Sequence, residues 1–401
     1  MVLCTVFLMC AYFLKPATSD LSRYSVYFNS GFITDKPSSV TSGGDVIVHP
    51  SDTAGEPFLQ AFDANPGFGF LARVIHSLDL ARPILPRFAV FKQRYVADGP
   101  VLGILLMGLG CLLLSCLSLL QHDRELAVLW SRPQLLLYWM PLILGSLFFM
   151  LGGQNALRQF LGLIFLMIAI SSLFERRVFW SVITLAAAIS FHQWSVVFFG
   201  IACCLFYGEK IVSKSFRWGP IEGSSITAAV GGIILGCLAV VVVKTVVSGV
   251  LETIDTGTLG QTLSNVVHNS SIFSEVKQYV RMDWSHLPSR MNGITKVVLL
   301  GGLLVLSEVL LGKVTLPTRW DIRAFRIGLF CFLAPLAIYP EILSRLVLFY
   351  LAVETLFVCM AVSSNQMRAR LAGSIVFIAY GVAPNGLTIL LGREWVTRVF
   401  G

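Results

Sequence analysis

The sequence predicts an all-α polytopic membrane protein, a single integral membrane domain over residues 1–401 with about 11 transmembrane helices (range about 10–12). Of its residues, 56% are hydrophobic and 13% are charged, and the mean hydropathy is +0.77. A soluble domain has about a quarter of its residues charged. The net charge of +8 is typical of basic cytoplasmic loops in such a protein. We therefore expect a lipid bilayer and no nucleic acid as its partner.

The apolar runs approach the ~20 residues that a helix needs to cross lipid. The candidate spans are residues 2–14, 101–120, 133–151, 157–174, 178–191, 194–207, 225–249, 294–311, 325–339, 346–362 and 371–391. The first span is short, and a cleaved signal peptide is its alternative. Because Met-Val-Leu-Cys lacks a positively charged start, we favour a retained helix.

Basic residues mark every second connection between these spans. They are Arg124, Arg132, Arg176, Arg177, Lys210, Lys214, Arg217, Lys313, Arg319, Arg323, Arg326, Arg368 and Arg370. The positive-inside bias places this set in the cytoplasm. With an odd number of crossings, the N-terminus is then cytoplasmic and the tail 393–401 lies outside.

Two longer segments are predicted outside the membrane. In residues 15–100, the stretch Phe68–Ala81 has apolar residues at helical spacing, which indicates an amphipathic helix at the membrane interface. Residues 251–293 are polar with scattered aromatic side chains. Such a loop is typical of a lid or a substrate cleft, with a plain linker as the alternative.

A predicted helical hairpin over Gly152–His192 carries the first candidate site. Its turn holds two arginines, and Gln154, Arg158 and His192 return to its opposite end. Gln154 and Arg158 are four residues apart and share a helix face. A guanidinium forms a planar fork suited to phosphate. Arg158 is therefore a candidate pyrophosphate-binding residue at the outer leaflet, or an arginine that snorkels to the headgroups.

Arg345 is the corresponding candidate before the tenth span, although Glu341, four residues upstream, allows a plain helical ion pair. Two arginines could divide the charge of a leaving pyrophosphate. His192 is a candidate base or hydrogen-bond donor, or else a buried histidine bonded to a carbonyl.

Further candidates follow the first span on the same side. Asp20 and Glu56 are carboxylates that could act as a catalytic base, although Asp20 could instead cap a short helix. The candidate substrate-binding residues are Arg23, Tyr24, Gln154 and Gln159.

Three charges lie within predicted spans, where ionisable residues are functional candidates by default. Lys244 and Glu308 lie near span ends, where long side chains can snorkel to the headgroups. Glu354 lies mid-span, and a proton-coupled transporter would use a residue there.

Several motifs are absent from the sequence. It has no Gly-x-x-x-x-Gly-Lys-Ser/Thr loop, no Asp-x-Asp pair and no Gly-x-Ser-x-Gly elbow. The nine cysteines show no metal-ligand spacing. We therefore expect neither a metal nor another cofactor.

The motifs together resemble the EpsG/Wzy-type polysaccharide polymerases of bacterial envelopes. The matching pieces are Asp20-Leu-Ser-Arg-Tyr24, Asn65-Pro-Gly-Phe-Gly-Phe-Leu, Asn155-Ala-Leu-Arg158-Gln159, Phe191-His192 and Ser344-Arg345. They span nearly the whole chain in the expected order. One departure is Asn65, where the family often has an acidic residue, so that Glu56 or Asp20 would have to serve.

The resemblance implies transfer of a growing glycan from undecaprenyl pyrophosphate onto a lipid-linked repeat unit, at the periplasmic face of the bacterial inner membrane. It leaves open a chain-length regulator as a protein partner. Two alternatives stay open. An O-antigen ligase uses the same donor with a different acceptor, and a transporter or flippase of lipid-linked oligosaccharide would need polar residues through the membrane depth.

Overall fold

The computed structural model describes residues 66–77, 146, 148, 157–174, 176–215, 223–247, 287–311, 322–363 and 366–379. All regular structure in these ranges is helical. The α-helices are α1 (Pro66–Ser77), α2 (Leu157–Phe174), α3 (Val178–Phe191), α4 (Ser195–Ser215), α5 (Gly223–Val242), α6 (Leu287–Leu311), α7 (Ile322–Leu333), α8 (Pro340–Ser363) and α9 (Met367–Phe377). A π-helical turn, Val243–Val247, extends α5, and a 3₁₀ turn, Ala334–Ile338, follows α7.

Three of the described helices are long and apolar enough to cross a membrane, over Ser225–Thr245 in α5, Gly293–Leu311 in α6 and Ile342–Val362 in α8. Within these windows, 89% of the α8 residues are buried, against 17% in α5 and 28% in α6. Helix α8 is therefore surrounded by other parts of the chain. Helices α5 and α6 instead present apolar faces of the kind that contact lipid.

The helices agree closely with the apolar runs of the sequence, with differences at their ends. Helices α2 and α3 have the predicted bounds, whereas α6 begins seven residues before its predicted start at 294. The run 325–339 divides into α7 and a 3₁₀ turn, because Pro335 cannot donate a helical hydrogen bond. The spans 2–14 and 101–120, and nearly all of 133–151, lie outside the described residues, as does most of the loop 251–293.

The chain forms two compact units. The first comprises Met1–Ser195 with Phe377–Trp395, and the second comprises Val196–Val376 with Val396–Gly401. Helices α1 to α3 belong to the first unit. The second contains α5 to α8 and nearly all of α4.

Helices α2 and α3 form an antiparallel hairpin closed by a Schellman turn. The Arg177 N–H donates to Ser172 O (2.8 Å) and the Arg176 N–H donates to Leu173 O (2.9 Å). Arg176 has a φ of 64°, the left-handed conformation that this motif requires and that glycine usually supplies. The turn therefore satisfies the last carbonyls of α2 and presents two exposed arginines.

Within the hairpin, α2 is buried and α3 has an exposed apolar face. Ser181 Oγ donates to Ala169 O across the two helices (2.9 Å), and the rings of Phe165 and Phe191 stack with centroids 5.3 Å apart. Phe179 and Trp180 are exposed beside the arginines. An aromatic pair next to basic residues is typical of a membrane–water boundary.

Helix α1 lies where the sequence predicts an amphipathic helix, although it begins at Pro66, a favoured first helical residue. It packs against α3 at Gly67, where a Cβ would overlap Ser190 Oγ. The absence of a side chain at Gly67 therefore allows the close contact. Phe68 is fully buried whereas Phe70 is 71% exposed. The helix therefore has a packed face and an open apolar face, and its position at a membrane interface stays a prediction.

In the second unit, small residues let α5 and α7 approach to backbone contact. A Cβ at Gly232 would overlap Gly328 O, and one at Gly236 would lie 2.5 Å from Phe332 O. Gly232 and Gly236 form a Gly-x-x-x-Gly pair, which presents a flat helix surface for close packing.

We predict that Gly232→Val separates α5 from α7 and destabilises the protein by about 1–3 kcal/mol or more, since a side chain at this position meets backbone atoms that cannot move aside. Gly231→Val is the matched control, because its Cβ would have nothing within 4 Å. The measurement is the thermal unfolding of the purified variants in one detergent. Equal loss of stability in both variants would show that the close approach is not the cause.

Candidate functional site

In the first unit, Arg158 and His192 lie at the same end of the α2–α3 hairpin, opposite the arginine turn, as the sequence predicts. Arg158 is in the first turn of α2 and His192 directly follows α3. One turn after Arg158, a Cβ at Gly162 would lie 2.9 Å from His192 Cβ and 3.1 Å from Ser195 Oγ. Gly162 therefore allows the histidine to pack directly against α2.

The backbone at His192 ends α3 and turns the chain sharply. His192 is extended (φ −156°, ψ 112°), and its N–H donates to Ala188 O at 2.9 Å. Its carbonyl accepts from the Ser195 N–H at 3.0 Å, and Ser195 Oγ donates to Ala188 O at 3.2 Å. These bonds fix the backbone of His192, a residue that is 7% exposed, where the chain leaves α3.

Helix α1, from a distant part of the sequence, packs next to the end of α3 that carries His192. Gly67 contacts Ser190, two residues before His192. Gln159, beside the half-buried Arg158, is 2% exposed. Two contacts therefore link pieces of three motifs in the first unit: the Pro-Gly-aromatic segment meets Ser190 next to Phe191-His192, and His192 meets α2 one turn after the Arg158-Gln159 pair.

In the second unit, the first turns of α8 carry Ser344 and the half-buried Arg345, and a lysine of α6 bonds to Ser344. Lys296 Nζ donates to Ser344 Oγ at 2.5 Å, and Ser344 Oγ donates to Pro340 O at 2.7 Å. Lys296 is 1% exposed. Lys296 is not among the site residues predicted from the sequence, although a lysine within the predicted span 294–311 is the same kind of intramembrane charge as Glu354.

A buried cluster of charges lies deeper along α8 and joins it to α6 and α7. Arg326 and Glu354 are both fully buried, and Arg326 Nη1 donates to Glu354 Oε1 at 2.8 Å. The same nitrogen donates to Ser307 Oγ at 2.9 Å, and Arg326 Nη2 donates to Glu308 Oε1. We call Arg326, Glu354, Glu308 and Arg323 the charge cluster.

Other groups complete the surroundings of the charge cluster. Arg323 Nε donates to Glu308 Oε2 at 2.6 Å, and the Tyr350 hydroxyl donates to Glu354 Oε2 at 3.2 Å. The Arg326 guanidinium carbon lies 3.7 Å from the Phe357 ring centroid, a cation–π distance. The two guanidiniums and the two carboxylates of the charge cluster have no net charge together. This balance favours a structural role, in which the ion pairs hold α6, α7 and α8 to one another.

The charge cluster changes the interpretation of three residues. The sequence assigns Arg326 to a basic cytoplasmic connection, yet the residue lies inside α7 and is neutralised there. Glu308 accepts from two arginines, so it is more than a side chain that snorkels to the surface. Glu354, the candidate for proton coupling, is half of an ion pair.

Several predicted site residues lie outside the described residues, namely Asp20, Arg23, Tyr24, Glu56 and Gln154. Arg158 belongs to the first unit and Arg345 to the second, so their meeting in one site stays a prediction. Among the residues that the structure describes, no group of three or more His, Cys, Asp or Glu side chains could hold a metal ion.

We predict that Arg326→Met destabilises the protein by about 3–5 kcal/mol, because Glu354 then keeps a buried charge without its partner. The double variant Arg326→Met with Glu354→Leu should recover much of this loss, since both charges are removed. Arg323→Gln is the control. The ion pair of Arg323 with Glu308 is partly exposed (side chains 24% and 20% exposed), so its loss should lower the free energy of unfolding by about 1 kcal/mol or less. Thermal unfolding in detergent is measured for five proteins: the wild type, Arg326→Met, Glu354→Leu, the double variant and the Arg323→Gln control. Additive losses in the double variant would contradict the pairing.

No family model matches the chain, and no curated protein or solved structure matches it either.

Proposed function

We propose that the chain is a glycosyltransferase that polymerises oligosaccharide repeat units carried on undecaprenyl pyrophosphate at the periplasmic face of the bacterial inner membrane. The proposal begins from the resemblance of its motifs to EpsG/Wzy-type polymerases. The observation that carries it furthest is a pair of contacts in the first unit: α1 packs on α3 at Ser190, and His192 at the end of α3 packs on α2 one turn after Arg158.

The proposed reaction is a substitution at the sugar C1. The bond between the sugar C1 and the pyrophosphate oxygen breaks, and the acceptor hydroxyl oxygen bonds to C1. The hydroxyl proton passes to a base, and the pyrophosphate leaves with its negative charge. Because the donor already carries a good leaving group, the protein has to orient the acceptor, accept a proton and stabilise the leaving charge.

Each role has a candidate in this chain. Arg158 and Arg345 are the proposed pyrophosphate-binding residues, since a guanidinium stays charged and binds two phosphate oxygens at once. His192, Asp20 and Glu56 are the candidates for the base. Of these three, His192 has a described position, and its Cβ packs against α2 at Gly162.

The charge cluster weakens the transporter alternative. A proton-coupled carrier needs a carboxylate that gains and loses a proton during transport, and Glu354 is the candidate by position. In the described structure this carboxylate accepts hydrogen bonds from Arg326 and Tyr350. Both carboxylate oxygens are therefore engaged by residues of the chain, and the bond to Arg326 joins α8 to α7, which supports a helix tie over a proton carrier.

We predict that Arg158→Ala leaves single or few repeats in place of long glycan chains, because the leaving charge loses a bidentate partner. The measurement is the glycan ladder on a gel from a strain that lacks the chromosomal gene and expresses the variant at wild-type membrane level. Arg176→Gly is the matched control. It also removes a guanidinium from the hairpin, but at the opposite end and at a left-handed position that glycine accepts.

Three outcomes of this experiment have distinct meanings. Short chains for Arg158→Ala with a normal ladder for Arg176→Gly support the polymerase. Complete loss of glycan attachment, with long chains still on their lipid carrier, identifies a ligase. A normal ladder in both variants rejects the role of Arg158.

We further predict that Glu354→Gln lowers the stability of the protein yet keeps polymerisation per folded molecule within about threefold, a change of less than 1 kcal/mol in barrier height. The physical reason is that the charge cluster joins helices and contains none of the residues proposed to bind the donor or to act as the base. The glycan ladder is compared at equal amounts of membrane-inserted protein. Loss of all product at normal protein level would favour the carrier alternative.

A further inference from the structure

The first turn of α9 carries two exposed arginines, Arg368 and Arg370, and no acidic residue. The peptide dipoles of a helix make its first turn positive, so a cation there opposes the helix and a carboxylate would stabilise it. Arg370 interacts with other residues of the chain. Within the described part of the chain, no carboxylate pairs with Arg368. The helix by itself therefore gains no stability from the charge of Arg368.

Helix α9 packs against the end of α8 through small and apolar residues. Its buried residues are Ala369, Ala372, Gly373 and Val376. A Cβ at Gly373 would lie 2.9 Å from Val362 Cγ2, so the two helices are in close contact there. This packing determines which side of α9 faces away from α8.

The outward side of α9 is apolar and has a cation at one end. Leu371 is 62% exposed and Ile375 is 42% exposed. Arg368 lies three residues before Leu371 and seven before Ile375, so the three side chains share one face of the helix. Arg370, two residues after Arg368, lies on nearly the opposite side. We call Arg368, Leu371 and Ile375 the α9 stripe.

The spacing along the α9 stripe matches that of a phospholipid at a membrane surface. At 1.5 Å per residue, Arg368 lies about 4.5 Å before Leu371 along the helix axis, and Ile375 lies about 6 Å beyond it. The polar headgroup layer of a bilayer is about 5–7 Å thick on each side. Leu371 begins the predicted span 371–391. With Leu371 at the edge of the hydrocarbon, Arg368 reaches the phosphates and Ile375 reaches the acyl chains.

The two parts of the α9 stripe suit the two parts of one molecule. A guanidinium binds two phosphate oxygens at once, and the exposed Leu371 and Ile375 offer an apolar surface to an acyl chain. A soluble anion would use the arginine alone. The sequence also predicts that this end of α9 faces the cytoplasm, where basic residues meet a leaflet with anionic lipids.

We propose that the α9 stripe binds an anionic phospholipid of the cytoplasmic leaflet, with the phosphate on Arg368 and an acyl chain along Leu371 and Ile375. The bound lipid holds α9 at a fixed depth in the membrane, together with the end of α8 that packs on Gly373. This site goes beyond the proposed function, because α9 contains none of the residues assigned to donor binding or to the base.

The test uses the full-length protein in proteoliposomes with two photoreactive lipids, a phosphatidylglycerol and a phosphatidylcholine with identical acyl chains. Each lipid carries a diazirine in one acyl chain, so light attaches it to the residues that this chain touches. Mass spectrometry then measures the labelling of the peptide that contains Leu371 and Ile375. We expect about fivefold more labelling by the anionic lipid, which corresponds to about 1 kcal/mol for one cation near the surface.

Arg368→Gln should lower this labelling ratio to about one, because the phosphate loses its charged partner. Arg370→Gln is the matched control, since it removes the same charge from the same helical turn but on the other side of the helix. Its ratio should stay within about twofold of the wild-type ratio. Arg368→Lys keeps a positive charge and should keep most of the preference, although an ammonium lacks the planar fork of arginine.

Three results would overturn the proposal. The first is equal labelling of the wild-type peptide by the two lipids. The second is an equal fall of the ratio in Arg368→Gln and Arg370→Gln, because the net charge of the surface would then explain the preference. The third is weak labelling by both lipids, which would show that a second copy of the chain covers the α9 stripe.

A salt series on the wild-type protein tests the same contact without any variant, so it decides even if Arg368→Gln fails to reach the membrane. Raising the ionic strength from about 0.1 M to about 1 M shortens the Debye length from about 10 Å to about 3 Å. The preference for phosphatidylglycerol should fall, while labelling by phosphatidylcholine stays constant. A preference that salt leaves unchanged would contradict a contact between Arg368 and the headgroup.

Discussion

The ion pair between Arg326 and Glu354 is the contact on which the packing of α6, α7 and α8 depends. A buried guanidinium among apolar helices has no water to solvate it, so carboxylates and hydroxyls of the chain must do so. Glu354 from α8, with Glu308 and Ser307 from α6, supply those groups. The arrangement selects one register for three helices, because a shift of any helix would leave a buried charge without its partner.

Small residues provide the complementary constraint in both units. Between α5 and α7, Gly232 and Gly236 bring backbones into contact, and in the hairpin Gly162 admits His192 against α2. Apolar side chains alone specify the packing of membrane helices poorly, because lipid tails are as apolar as leucine. Close backbone approach and buried polar contacts therefore determine which helices meet and which side chains they bring together.

The candidate site follows from these two constraints. In the first unit, the Schellman turn at Arg176 reverses the chain so that Arg158 and His192 come to one end of the hairpin. In the second unit, Gly293 lets the start of α6 pack on the segment that leads into α8, whose first turns carry Arg345. Cations placed on rigid helices can bind a phosphate group without reorganisation, which is the physical basis of the proposed pyrophosphate binding.

The amino-acid sequence alone determined the helical class, the bounds of α2 and α3, and the return of Arg158 and His192 to one end of the hairpin, since these follow from local hydrophobic runs and helix length. Only the tertiary structure decided which charges are paired. Arg326 looks like a loop cation and Glu308 like a snorkelling side chain, yet both belong to one cluster. Lys296 meets Ser344 across 48 positions of sequence. No local pattern encodes such partners, because side-chain pairing between helices depends on their packing in three dimensions.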